Sequence, residues 1–190
     1  MAATRVLIGI EAPYYQPLPL NQANFSIDFA KRGGKLFVAP SYGQYIDEAR
    51  NAARRARFEA GMPMIGLTGH SPGVLYAIGA GNIGAPWIIG NFPGYSGSNK
   101  LVFEILKTVS CAELSQAWLL TEPEGPVRIP PDVLSVYGAS YLTDFELAGT
   151  FTTAVGVGGF GAPQTQTIMR PTRSAQAAFR VCAATRSIGK

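Results

Sequence analysis

Residues 35–69 restrict the fold most, because a helix pattern sits there between two short apolar runs. KLFVAP (35–40) and MPMIGLTG (62–69) are β-prone, and YGQYIDEARNAARRARFEAG (42–61) is rich in alanine. Alanine is the strongest helix former, and the early acids Asp47 and Glu48 suit the positive end of the helix dipole. Gly61 supplies the stop. A strand, a helix of this length and a second strand suit a parallel crossover. TRVLIGIE (4–11) adds an earlier buried-strand pattern.

The expected fold is therefore α/β, with a Rossmann-like three-layer N-terminal part and a β-rich C-terminal part. The alternative is α+β with antiparallel hairpins, and residues 21–34 leave it open. Asn21 as N-cap, Phe25 and Phe29 one turn apart, and Gly33 as stop describe a helix. Phe25, Ile27 and Phe29 also alternate with polar residues as in a strand, and KRGG then reads as a hairpin turn.

After Gly69 the rhythm changes. VLYAI (74–78) and PWIIGNF (86–92) read as short strands between glycine turns, and residues 99–116 read as a second helix with Leu101, Ile105, Val109 and Ala112 on one stripe. AWLLTEP (117–123) reads as a strand and EPEGPVRIPPD (122–132) as a loop. Residues 149–169 contain no charge, and five cations follow Met169 with no acid. The expected organisation is one α/β-type domain over 1–148 and a segment over 149–190, uncharged then basic, serving as an arm that packs on partners. Residues 175–187 fit a final strand or a short helix.

Only 15% of the 190 residues are charged, against about a quarter in ordinary soluble domains. A free monomer needs charge to stay dispersed, so the composition favours a surface covered by other subunits. The two cysteines, Cys111 and Cys182, are too few for a disulfide framework, and whether they pair is left open. With one histidine, His70, a Cys/His zinc site lacks its ligands. Neither a metal nor a cofactor is expected. No leader-like apolar region opens the chain, and no apolar run reaches the ~18–20 residues of a membrane span. Synthesis in a cytoplasm is expected, with incorporation into a particle if the chain is an assembly subunit, and no membrane partner.

GLTGHSPGVLYAIGAGNIG (66–84) holds two known patterns. Gly69-His70-Ser71-Pro72-Gly73 matches the G-x-S-x-G of a serine-hydrolase nucleophile elbow, and residues 79–84 match the G-x-G-x-x-G of a dinucleotide-binding turn. The elbow needs a helix after it and a base histidine, yet the only histidine is the serine's neighbour. The dinucleotide turn needs a following helix, and Pro86, Gly90 and Pro93 oppose one. Both patterns thus fall short, and 74–78 is expected to be a strand. Three residues remain catalytic candidates at the carboxyl ends of expected strands: Glu11, His70 and Ser71, weighed against plain loop-capping roles. Gly94, Ser96, Gly97, Ser98 and Lys100 form a glycine-rich turn before a helix and are candidates for phosphate binding, weighed against simple N-capping by Ser98 or Asn99. Arg50, Arg54 and Arg57 are spaced to share one helix face. They are candidates, with the basic C-terminal segment, for contact with nucleic acid or an acidic partner, weighed against a solvated face.

Two functions follow as expectations. The first is a structural or assembly subunit of a multi-subunit complex, such as a virus or phage particle component. The second is an α/β enzyme binding a small molecule, a nucleotide or another phosphate.

Overall fold

Strands β3 (Pro63–Gly66) and β5 (Trp118–Thr121) run side by side in parallel, with Met64 opposite Trp118 and Ile65 opposite Leu119. The side chains alternate between two cores, as strand geometry requires. Met64, Trp118 and Leu120 belong to one buried cluster, and Ile65 and Leu119 to the other. Strands covered on both faces read as continuous apolar runs, which is why β5 is buried at every position.

The computed structural model describes residues 16–28, 34–85, 90–91 and 95–188. Among these the fold is mixed α/β, with two sheets and helices packed on them. β1 (Phe25–Asp28) and β2 (Lys35–Val38) form an antiparallel hairpin of their own. The main sheet has the order β4-β3-β5-β7-β6, where β4 is the two-residue Gly81–Asn82, β6 is Phe145–Thr152 and β7 is Thr165–Pro171. β4, β3 and β5 are parallel, and β7 and β6 join antiparallel.

On one face lie α1 (Pro40–Arg55) and α2 (Pro72–Ala77), whose Ala49, Ala52, Ala53, Val74 and Leu75 pack with Phe151 and Ile168. On the other lie α3 (Tyr95–Thr108), α4 (Cys111–Leu114), a 3-10 turn at Pro131–Tyr137 and α6 (Ala175–Ile188). The short α5 (Tyr141–Asp144) leads into β6. A disulfide joins Cys111 of α4 to Cys182 of α6, with Cα atoms 5.7 Å apart.

Several expectations change. Among the described residues, 35–40 do not pair with 62–69: β2 pairs with β1, which settles residues 25–28 as strand and not helix. The turn at 29–33 and the expected strand 4–11 lie outside the described residues. VLYAI is helix, not strand. Pro72 stands in its first turn and Gly79, at φ +78, follows its end, a pairing that bounds short helices well. The helix expected over 99–116 breaks at Ser110, which caps α4 through a reciprocal box with Glu113. Within 149–188, β6 continues from residue 145 to Thr152, β7 lies between β5 and β6, and 175–188, expected as strand or helix, is helix. Among the described residues the main sheet is thus parallel only at β4, β3 and β5.

Candidate functional site

The chain leaves β3 toward α2 on one face and leaves β5 toward the 3-10 turn on the other. Adjacent parallel strands whose connections depart to opposite faces open a crevice at their carboxyl ends. Thr68, His70 and Ser71 follow β3 there, and Glu122 follows β5. Gln166 comes from β7, next to Thr167, which pairs with Thr121. By strand alternation Glu122 and Gln166 continue the face of Leu120 and Ile168, toward α1 and its Tyr45.

These side chains form one continuous network. Ser71 Oγ lies 3.0 Å from His70 Nδ1, and His70 Nε2 lies 2.9 Å from both carboxylate oxygens of Glu122. Gln166 Nε2 donates to Ser71 Oγ at 2.9 Å and to Glu122 Oε2 at 2.8 Å. Tyr45 donates its phenol proton to Gln166 Oε1 at 2.8 Å. Thr68 Oγ1 accepts from the backbone N–H of Ser71 at 3.1 Å and steadies the turn.

The proton positions follow from the chemistry. An ionised carboxylate only accepts, so the Gln166 amide nitrogen and a protonated His70 Nε2 must face Glu122. Nδ1 of the neutral ring is then the acceptor, and the Ser71 hydroxyl donates to it. Glu122 is fully buried, with a side-chain exposure of 0%, and its charge is met by donors from His70 and Gln166. Burial, more than any neighbour, raises the Tyr45 phenol far above its ordinary range, so Tyr45 stays a donor. Burial also raises Tyr42.

Ser71 opens onto a cleft of about 530 Å³. Tyr42, Tyr45 and Ile46 of α1 form one wall, Val74 of α2 another, and Val157 and Gly158 of the β6–β7 loop a third. No Lys, Arg, Asp or Glu lines it among the described residues. The loop closes over His70. Phe160 meets its ring edge-on at 5.2 Å between centroids, and a Cβ on Gly158, at φ +69, would stand 2.7 Å from Nδ1.

His70 and Ser71, two of the three catalytic candidates, are therefore brought together at the cleft. The ring that reaches the Ser71 hydroxyl is that of its neighbour, not of a later histidine. Glu11 lies outside the described residues. So does Gly94 of the phosphate candidates, together with the side chain of Ser96. Gly97, Ser98 and Lys100 fall inside α3, where Ser98 is buried and Lys100 exposed. The arginine stripe is broken. α1 ends at Arg55, Arg57 has left-handed backbone at φ 59, and Arg50 donates to the carbonyls of Ala77 and Asp28. In the basic segment, Arg170 pairs with Glu146, Arg173 with Asp144, and Arg186 donates to Leu106 O. Glu122, Gln166 and Tyr45 were not singled out from sequence. Only Glu122 carried a signal, a carboxylate directly after a buried strand, the same signal that drew attention to Glu11.

Among the described residues no helix is long and apolar enough to cross a membrane, and no group of three or more His, Cys, Asp or Glu side chains could hold a metal ion. Comparison of the chain with protein-family models, curated proteins and solved structures gives no match.

Proposed function

We propose that the chain is a serine-dependent acyl hydrolase or acyl transferase, with Ser71 as nucleophile, His70 as general base and Glu122 as the group that orients and stabilises the ring. One observation carries this reading. Both nitrogens of His70 are engaged, Nε2 with Glu122 and Nδ1 with Ser71, so the ring faces the cleft through Nδ1, on the side of the Ser71 hydroxyl. A serine is a weak nucleophile until a positioned base takes its proton. Here Ser71 Oγ attacks the acyl carbon while its proton moves to Nδ1, and Glu122 stabilises the imidazolium. Nδ1 then protonates the leaving group, and water repeats the sequence to free the acid and restore Ser71.

The site departs from an ordinary nucleophile elbow in two respects, the first being that the base histidine is the serine's neighbour. Second, the residue after Ser71 is Pro72, which has no N–H to offer an oxyanion. Gly73, which lines the cleft, carries the next N–H. A cleft lined without Lys or Arg among the described residues favours acyl chemistry over nucleotide or phosphate chemistry.

The test is hydrolysis of p-nitrophenyl acetate and labelling by a fluorophosphonate. Labelling should map to Ser71 and vanish in Ser71→Ala. Glu122→Gln should lower kcat by about 10²–10⁴. Wild-type protein that neither labels nor exceeds Ser71→Ala in turnover would end the proposal.

The reading as a structural or assembly subunit is favoured by a different observation: Leu36 and Phe37 of β2 are 53% and 54% exposed on a chain poor in charge. Sedimentation across a concentration series tests it, and a monomer at every concentration removes it.

A further inference from the structure

We infer that this site takes uncharged esters or thioesters whose acyl part is apolar, and that Val157 limits the size of that part; the inference rests on Ser71 acting as the nucleophile. The walls are Tyr42, Tyr45, Ile46, Val74 and Val157, and no charged side chain joins them among the described residues. Among the described residues the carboxylate nearest the cleft, Glu122, lies behind His70 with no exposed surface, and its charge is already matched by two donors. A substrate ammonium therefore meets no counter-ion. Among the described residues a substrate carboxylate or phosphate meets none either, since Arg50, one turn beyond Ile46 on α1, is directed to the carbonyls of Asp28 and Ala77 and to Asp47. A charge brought into such a cleft gives up water without a compensating partner, whereas an apolar chain gains by burial. The phenols on the wall stay neutral because burial raises both.

The β6–β7 loop supplies the size limit. Thr153 N donates to Gln164 O at 2.9 Å and Gln164 N to Thr153 Oγ1 at 2.8 Å, which pins the base of the loop. Gly156 N donates to Phe160 O at 2.9 Å within it. Val157 is thereby held as a buried wall of the cleft. In the reaction the Ser71 Oγ–carbon bond forms as the bond from the acyl carbon to the leaving oxygen or sulfur breaks. The Ser71 proton passes through His70 Nδ1 to that leaving atom. Water then cleaves the acyl-serine, and its proton returns by the same nitrogen.

The test compares p-nitrophenyl butyrate with the p-nitrophenyl monoester of succinic acid, which carries a carboxylate on a similar acyl chain. The whole chain should prefer butyrate by about tenfold or more in kcat/KM. Ile46→Arg places a cation on a partly exposed wall position and should cut that ratio about fivefold or more. Val157→Ala should raise relative turnover of longer esters such as the octanoate. Equal kcat/KM for the two esters would overturn the substrate class while leaving the nucleophile in place. Calorimetry on Ser71→Ala separates the other failure. If that variant binds the neutral ester and not the charged one, yet wild type releases no more p-nitrophenol than it does, the class stands and the nucleophile falls.

Discussion

Gln166 satisfies three neighbours at once, since its amide nitrogen donates to Ser71 and Glu122 and its oxygen accepts from Tyr45. Such residues fix geometry more than they supply energy, because each buried partner left alone costs about 1–3 kcal/mol. Gly158 acts by what it lacks. Gly158→Ala would drive a methyl against His70 Nδ1 from a left-handed backbone, so turnover should fall by about tenfold or more, with about 1–2 kcal/mol lost in urea unfolding. Tyr137 gives the opposite case. Its buried hydroxyl has no hydrogen-bond partner among the described residues, so Tyr137→Phe should leave the urea midpoint unchanged or raise stability by up to about 1.5 kcal/mol. At this scale the sequence makes His70 and Ser71 legible as neighbours, because the motif joins them locally. It could not show Gln166 or Tyr45, which are ordinary residues until strand register and helix packing aim them at the same point.

The helices show how local signals compete. A single apolar stripe runs through 99–116, yet Ser110 and Glu113 satisfy each other's backbone donors and begin a new helix. A capping box outweighs a continuous stripe because it relieves donors that a helix start leaves unpaired. Ser110→Ala should therefore cost about 1 kcal/mol, read by chemical denaturation. The Cys111–Cys182 bridge ties α4 to α6 across 71 residues. Closing a loop of that length removes freedom from the unfolded chain, so reduction or replacement of both cysteines by alanine should cost about 4 kcal/mol. The measurement is unfolding with and without reductant, and identical midpoints would show that the bridge contributes nothing. The glycines around residues 73–84 hide α2 in the sequence, because Pro72 and Gly79 bound it as a helix of only six residues. The strand-turn-helix context that a nucleophile elbow requires was present all along.

Across the whole molecule, burial of Tyr45 and Tyr137 links stability to alkaline pH. Both phenols are raised above the ordinary value of 10.0, mainly by desolvation. The folded chain thus keeps protons that the unfolded chain releases near pH 10. These groups contribute their full stability below that pH, and it is lost as pH rises from there toward the raised folded values. Each should add up to about 1.4 kcal/mol of destabilisation per pH unit in that window. Melting temperatures from pH 8 to 11 should stay flat and then drop, less steeply in Tyr137→Phe. The sequence by itself determined α1, β3, β5 and the Gly-His-Ser-Pro-Gly turn, because helix propensity, apolar runs and turn residues act over a few positions, and left residues 25–28 open between helix and strand. Only the tertiary structure decided that β2 leaves the main sheet, that the uncharged segment after residue 149 becomes a sheet strand and a wall of the cleft, and that Glu122 and Gln166 reach His70 and Ser71. Those outcomes depend on which strands pair across long separations, and pairing is set by the burial of both sheet faces together rather than by any one stretch of chain.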